Sequence, residues 1–433
     1  MRQVAPGAAV LAGMLGLAGA TAGLRAGIEP FATGYYQFAW YSLLLALDGA
    51  VAWTGAAGKK GEFLLLSRPA HMASLLGWSA VVWYFYELWN LRLQNWYYIN
   101  LPHGTALRWG STALAFATVL PALFLTASLL HRTGLARDTR WRPLPVTGRT
   151  LRGIRIAGGV MVVLVLAWPR YFFPLVWGAT TLLVEPWVYQ RAPRRSLLHD
   201  LSEGKSGRLL RLLASGALIG FVWELLNIGA RAKWIYTVPF LEQLKLFEMP
   251  LPGFFGFPPF AVECFVLWQA LVVLGVAVPR SGRNRPVTLG QQWGSAAVAA
   301  SFCLLVARSM DSRTVGSLQP RLTDLGVSAG RLQAQGFDAF RLAAAQPAAI
   351  AQLATVDEQV AAWWVERARL ATARGIGAEG VRALAGVGIT TIEALAAANP
   401  ARLVDELERS TGRDLVDARV RVWVRGARRL TSS

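Results

Sequence analysis

The sequence has few of the residues that build metal centres and disulfide frameworks. It contains two cysteines and four histidines among 433 residues. Cys264 and Cys303 both lie in apolar runs, and the histidines show no paired ligand spacing, so we expect neither a disulfide framework nor a metal site. We also assign no cofactor.

Charged residues are scarce as well, at 16% of the chain, whereas 54% of the residues are hydrophobic and 18 are tryptophan. Several uninterrupted apolar runs of about 18 residues or more indicate a polytopic membrane protein. We therefore predict an all-α fold with eight spans, or nine if the last run also crosses. The predicted spans fall at roughly 4–27, 36–56, 70–91, 110–130, 154–169, 171–189, 208–230, 256–279 and 291–307. The first run has no clean small-x-small cleavage site, so we interpret it as a transmembrane helix and not as a signal peptide.

The net charge of +19 would suggest a nucleic-acid partner in a soluble protein. Here the basic residues crowd the loops that follow every second span. These residues include Lys59, Lys60, Arg68, Arg132, Arg137, Arg140, Arg142, Arg149, Arg191, Arg194, Arg195, Lys205, Arg208, Arg280, Arg283 and Arg285. The positive-inside rule places these loops and the N-terminus on the cytoplasmic side of a bacterial inner membrane. We expect them to contact anionic lipid headgroups.

The chain carries an internal duplication in which every matched pair of residues is separated by the same distance along the sequence. Its members recur as the pairs Trp40 and Trp177, Asp48 and Glu185, Glu87 and Glu224, Asn90 and Asn227, and Pro102 and Pro239. Each copy holds four spans, and an even number preserves orientation, so we predict two parallel repeats around an axis near the membrane normal. The predicted domains are a first repeat (1–131), a basic linker (132–153), a second repeat (154–280) and a ninth span (281–310).

Polar residues inside the spans mark the candidate site. Glu224 and Asn227, spaced i and i+3, share one helix face, and Glu87 and Asn90 mirror them in the first repeat. One interpretation is that they join neighbouring helices by hydrogen bonds. The other is a buried polar centre that binds a ligand or transfers a proton.

Three further acids lie in or beside the spans. Asp48 and Glu185 add one acid to each repeat, so both are ligand-binding candidates. Glu263 opens the eighth span, whereas the region expected to match it, 109–117, has no acid. This asymmetry leads us to place the site in the second repeat, with Glu224 and Glu263 as the candidate catalytic acids.

Aromatic residues accompany these acids. Trp234 and Tyr236 lie where the seventh span reaches the interface, either as part of an aromatic belt or as the floor of a ligand cavity. Together with Trp223-Glu224 and the segment Gly256–Glu263, they resemble the repeat of membrane-integral lycopene cyclases. That resemblance lies mainly within 220–270 and implies an isoprenoid or carotenoid ligand that is protonated by buried acids. This chain departs from the family pattern, because a single Glu followed by Cys264 replaces the paired acids.

Residues 311–433 change in composition and predict a soluble helical domain. Segment 373–407 reads as helix, glycine turn, helix, with Thr390 or Thr391 as a cap and Asn399-Pro400 at the end. It resembles tandem helix-hairpin-helix domains, with 322–353 as a weaker copy. Gly375 and Gly377 are candidates for phosphate binding. The charges nearly balance, so nucleic-acid binding is not expected and a protein partner is favoured.

Two functions remain open from the sequence. The first is a membrane protein that binds or acts on an apolar, isoprenoid-like ligand at the acid and aromatic site. The second is a non-enzymatic scaffold or transporter-like protein whose C-terminal domain recruits a partner. The side of the membrane on which that domain lies depends on whether 291–307 crosses.

Overall fold

The computed structural model describes residues 5–55, 65–240, 244–280, 289–327, 329–412 and 417–432. The fold is all-α, with 74% helix and 4% strand. Six helical segments are long and apolar enough to cross a membrane, as expected of a membrane-associated protein. They are Pro6–Ala26, Thr105–Arg132, Gly148–Ala167, Gly207–Gly229, Leu251–Leu274 and Trp293–Arg313. The predicted basic residues Lys59, Lys60, Arg283 and Arg285 lie outside the described residues.

The helices follow the predicted apolar runs closely. Up to residue 313 they are α1 (Pro6–Ala26), α2 (Phe31–Trp53), α3 (Pro69–Leu93), α4 (Thr105–Phe116), α5 (Val119–Arg132), α6 (Gly148–Ala167), α7 (Pro169–Phe172), α8 (Val176–Arg191), α9 (Leu197–Ser202), α10 (Gly207–Gly229), α11 (Phe257–Leu274) and α12 (Leu289–Arg313). The strands are β1 (Trp96–Ile99), β2 (Lys233–Tyr236), β3 (Lys245–Leu246) and β4 (Met249–Pro250).

Two predicted spans are not single helices. The run at 110–130 is divided between α4 and α5. The run at 171–189 consists of α7, a 3₁₀ turn at Phe173–Leu175, and α8. Pro174 has no N–H donor, so it cannot extend the hydrogen bonding of α7. The 16 residues of α8 span about 24 Å at 1.5 Å per residue, less than the hydrocarbon core of about 30 Å.

The chain divides into two compact units. The first contains the chain up to Gln94 together with Trp109–Ala230 and Val238–Asp311. The second contains Asn95–Arg108, Arg231–Thr237 and the chain from Ser312 onward.

The packing of the first unit repeats itself along the chain. Helix α1 packs on α2 and α6 on α8, α2 packs on α5 and α8 on α11, and α3 packs on α5 and α10 on α11. Small residues permit the closest approach. A Cβ on Gly13 of α1 would lie 2.5 Å from the Ser42 carbonyl oxygen of α2. Small residues at helix contacts are typical of membrane bundles, where backbones approach closely.

The second unit contains the remaining helices around one hydrophobic core. They are α13 (Ala329–Ala334), α14 (Ala339–Ala343), α15 (Pro347–Ala354), α16 (Glu358–Thr372), α17 (Gly377–Gly386), α18 (Ile392–Ala397), α19 (Pro400–Thr411) and α20 (Asp417–Thr431). Thr391 caps α18, because its hydroxyl accepts a hydrogen bond from the Ala394 N–H at 3.1 Å. Asn399 caps α19 in the same way, with Pro400 at the first helical position.

Strands β1 and β2 also belong to the second unit, and they pair antiparallel. Trp96 lies opposite Tyr236, and Ile99 lies opposite Lys233. Trp96 and Lys233, which begin the two strands, are separated by the same offset as the repeats, so the first residue of each strand faces the last residue of the other. A local two-fold axis through the centre of this ribbon relates the two repeated segments.

Candidate functional site

The buried carboxyl and amide side chains of α3 and α10 occupy matching positions. Glu87 and Asn90 on α3 and Glu224 and Asn227 on α10 are all 0% exposed. In each helix the amide follows the acid by three residues, so both lie on one face. The indole N–H of Trp83 donates to the Glu87 carboxylate at 3.1 Å.

Aromatic rings pack between the repeats in reciprocal pairs. Trp40 of α2 contacts Trp223 of α10, with ring centroids 5.9 Å apart. Trp177 of α8 stacks on Tyr86 of α3 at 5.3 Å. Trp177 is the repeat counterpart of Trp40, and Trp223 is the counterpart of Tyr86, so each contact is the symmetry mate of the other. The repeat relation therefore also organises the core of the first unit.

Trp83 and Phe260 fill the space between these two pairs. The Trp83 ring lies 4.9 Å from that of Trp223 and 5.6 Å from that of Phe260. The Phe260 ring in turn lies 5.2 Å from Tyr86 and 5.6 Å from Trp177. We call these six rings the aromatic cluster: Trp40, Trp83, Tyr86, Trp177, Trp223 and Phe260. Offset and edge-on arrangements of this kind are the preferred geometries of aromatic pairs.

Glu263 follows Phe260 by one turn on α11 and is 0% exposed. Among the residues that the structure describes, neither oxygen of its carboxyl group has a hydrogen-bond partner of ordinary geometry. Its polar neighbours include the hydroxyls of Tyr86 and Thr180. A buried carboxyl group whose hydrogen bonds are long or poorly aligned is costly, so its presence calls for an explanation beyond packing.

Both candidate catalytic acids interact with a tyrosine of the first repeat. Glu263 interacts electrostatically with Tyr86 of α3, and Glu224 does so with Tyr36 of α2. The sequence placed the site in the second repeat, whereas its neighbours come from both repeats. The counterpart of Glu263 also differs from the expected one. The residue that the repeat offset matches to it is Thr126 on α5, and 109–117 lies elsewhere.

Asp48 and Glu185 hold the chain segments that follow their helices. Asp48 accepts hydrogen bonds from the Leu65 and Leu66 N–H groups at 3.0–3.2 Å. Glu185 accepts from the Ser196 hydroxyl at 2.6 Å and the Leu198 N–H at 2.9 Å. These contacts give both acids the same structural task in the two repeats, and we leave them outside the candidate site.

Trp234 and Tyr236 are placed in β2, within the second unit. Tyr236 pairs with Trp96 and Trp234 with Tyr98, so their positions serve the pairing of the two repeated segments. Trp234 and Tyr236 thus belong to the second unit, whereas Glu224 and Glu263 belong to the first.

The glycine turn at Gly375 and Gly377 is buried and packed, not open to a phosphate. A Cβ on Gly375 would lie 2.2 Å from Cγ2 of Ile99, and one on Gly377 would lie 2.8 Å from Cβ of Ser317. Both glycines have positive φ, at 80° and 64°. The turn therefore serves as a contact surface for the segments around it.

Of the aromatic cluster, sequence reasoning named only Trp223 as a site residue. It identified Trp40 and Trp177 as markers of the duplication alone, and it missed Trp83, Tyr86 and Phe260. Trp83, Tyr86, Glu87 and Asn90 share one face of α3 at three- and four-residue spacing, which is the signal that identifies the first two. Among the described residues, no group of three or more His, Cys, Asp or Glu side chains is placed to hold a metal ion.

Comparison with known families bears on the C-terminal part of the chain. A family model described as a domain of unknown function, DUF4332, matches residues 328–430. No curated protein and no solved structure matches the chain. The matched stretch does not include the aromatic cluster or Glu263.

Proposed function

We propose that the chain is a polytopic protein of the bacterial inner membrane with two parallel four-span repeats and a ninth span. Support comes from the constant offset between matched residues, the reciprocal ring pairs and the antiparallel pairing of β1 with β2. The basic loops and the N-terminus lie in the cytoplasm in this proposal, where the loops contact anionic headgroups. The C-terminal domain is of the tandem helix-hairpin-helix type.

The aromatic cluster is the binding site of an apolar, isoprenoid-like ligand, and Glu263 is the acid that meets it. The observation that carries this proposal is the fully buried Glu263 carboxyl group, which has no hydrogen-bond partner of ordinary geometry among the described residues. Ring faces stabilise positive charge, so an acid beside them suits a polyene that becomes cationic when it is protonated. The resemblance to lycopene cyclases points to the same ligand class.

The test is the lipid content of the purified full-length protein. Wild type, Glu263→Gln and Glu224→Gln are extracted with organic solvent, and the bound lipids are identified by mass spectrometry. We expect wild type to retain an isoprenoid lipid that Glu263→Gln loses or binds much less. Glu185→Gln is the matched control, because it neutralises a buried acid outside the cluster and is expected to retain the ligand.

The same bound lipid in all variants, or no isoprenoid in wild type, would overturn the ligand assignment. The alternative function, a scaffold whose C-terminal domain recruits a protein partner, would then be the one to pursue. Elution as a single species in size-exclusion chromatography checks that each variant is folded.

A further inference from the structure

The second unit joins three segments that lie far apart in the sequence. Beyond the ribbon of β1 and β2, the chain after α12 adds to β1 in parallel, with Tyr98 opposite Val315 and Leu101 opposite Leu318. The Tyr98 N–H donates to the Thr314 carbonyl at 2.7 Å, and the Gln319 N–H donates to the Leu101 carbonyl at 2.8 Å. Backbone hydrogen bonds thus link the C-terminal chain to the segment that follows α3.

Side chains of the C-terminal chain contact the segment that follows α10. Arg231 forms an ion pair with Asp338 at 2.8 Å, and its guanidinium lies 4.5 Å from the ring centroid of Phe340. Ile235 of β2 is 0% exposed and packs with Val422 of α20. The C-terminal helices therefore contact both repeated segments at once.

The contact also extends to β1 through an arginine and a glycine. The guanidinium of Arg419 lies 5.0 Å from the ring centroid of Tyr97, which is 2% exposed. The close approach of Gly375 to Ile99 leaves no room for a side chain at that glycine. These contacts are buried and specific, as in a permanent interface and unlike the exposed surface of a tethered domain.

The positions of these segments along the chain show which ends of the helices they follow. Asn95–Arg108 follows α3, Arg231–Thr237 follows α10, and the chain from Ser312 onward begins in the last turn of α12. Among the described residues, the second unit contains none of the six long apolar segments in full, so the segments that share it lie on one side of the membrane. The carboxyl ends of α3, α10 and α12 therefore emerge on the same side.

The basic segments form contacts of their own at the other ends of these helices. Arg68, just before α3, donates to the Arg280 carbonyl at 2.9 Å. The backbone of Arg140 forms an antiparallel bridge with that of Lys205, just before α10. The basic residues on which the positive-inside rule acts therefore precede α3 and α10, whereas the second unit follows them.

We infer that the C-terminal domain lies on the non-cytoplasmic side of the membrane, where it clasps the connecting segments of both repeats. Helix α12 then crosses from the cytoplasmic side, which accounts for its apolar stretch Trp293–Arg313. The inference rests on the proposed membrane topology and is independent of the ligand. It excludes cytoplasmic nucleic acid as a partner and directs the search to proteins outside the cytoplasm.

Cysteine accessibility tests this sidedness. In a full-length Cys264→Ser, Cys303→Ser background, Arg402→Cys reports on the second unit and Arg142→Cys reports on a basic segment. Both positions are exposed. With a small membrane-impermeant maleimide, we expect Arg402→Cys to react in intact cells and Arg142→Cys to react only after permeabilisation. If Arg402→Cys reacted only after permeabilisation, as Arg142→Cys is expected to do, the inference would be overturned.

Limited proteolysis tests the clasp. Arg231→Ala removes the ion pair to Asp338 and the contact with Phe340, so we expect trypsin added outside spheroplasts to cleave the C-terminal domain several-fold faster. Arg402→Ala is the matched control, since it removes an exposed arginine from the same domain. Equal cleavage rates in wild type, Arg231→Ala and Arg402→Ala would refute the clasp even if the domain lies outside.

Discussion

Replacing Glu263 by methionine should stabilise the protein, and the size of the effect follows from its surroundings. The carboxyl group is fully buried, and among the described residues neither oxygen finds a hydrogen bond of ordinary geometry. A buried polar group left in that state costs about 1–3 kcal/mol. Methionine has a similar volume and a flexible apolar chain, so it fits with a cost below about 1.5 kcal/mol. We expect Glu263→Met to be neutral or to increase the free energy of unfolding by up to about 2 kcal/mol.

The matched variant, Glu185→Met, should have the opposite effect. Its carboxylate satisfies the Ser196 hydroxyl and the Leu198 N–H, both in buried surroundings. Without this acceptor, both buried donors lose their hydrogen bond, and each unsatisfied donor costs about 1–3 kcal/mol. Glu185→Met should therefore destabilise the protein by about 2–6 kcal/mol by the same reasoning.

The measurement is the thermal unfolding midpoint of each variant, purified in one detergent and followed by tryptophan fluorescence. Glu263→Met should lose the bound ligand, and it should unfold at or above the temperature of wild type from which the lipid has been extracted, since a bound ligand itself stabilises the folded state. Glu185→Met should unfold clearly below that temperature. If Glu263→Met lowered the midpoint as much as Glu185→Met, the Glu263 carboxyl group would be a structural hydrogen-bond acceptor, and the argument for a ligand there would fail.

Two further predictions concern the second unit. Gly375→Ala should be much more destabilising than Gly388→Ala in thermal unfolding. Both positions have φ near 80°, a conformation that costs alanine about 1–2 kcal/mol. Only the Cβ at 375 would collide with Ile99. Equal losses of stability in the two variants would contradict the packing described. Arg321 donates two hydrogen bonds of 2.9 Å to the Asp324 carboxylate, and they hold the pKa of Asp324 below its usual 3.8. The stability that this ion pair contributes is therefore complete above pH 3.8 and is lost as the pH falls through the lower folded-state pKa. As the pH falls below 3.8, wild type should therefore lose more stability than Asp324→Asn, and parallel pH profiles would contradict the ion pair.

The sequence was sufficient to locate the helices of the first unit and the offset that relates them. Apolar runs determine where a helix lies, because each run must be buried in protein or lipid. The points at which helices break within those runs were harder to predict, since hydropathy alone does not distinguish an apolar run that contains Pro174 from an uninterrupted helix. The prediction of a continuous helix at 171–189 fails for that local reason.

The candidate site was only partly accessible from the sequence. Buried acids such as Glu224 and Glu263 stand out because charge is rare in apolar segments. Their roles depend on contacts between distant segments, which spacing cannot give. Asp48 and Glu185 looked equivalent to the other acids, yet each binds the chain that follows its own helix. Trp234 and Tyr236 looked like site residues, yet they belong to a strand whose pairing partner lies in the other repeat.

The departures from symmetry are the best guide to function. The two-fold relation between the repeats preserves the reciprocal ring pairs, the buried Glu-x-x-Asn faces and the structural acids. It fails at Glu263, whose counterpart is Thr126, and at Trp83, whose counterpart is Gly220. A Cβ on Gly220 would lie 2.2 Å from the Phe257 ring, so the glycine admits a ring from α11 where the first repeat supplies its own tryptophan. A third departure is Phe260, whose counterpart is Leu123. All three lie at or beside the aromatic cluster, so the acid is present on the side of one repeat only. A purely structural core has no need of that difference, whereas a ligand with two unlike ends or one reactive end does.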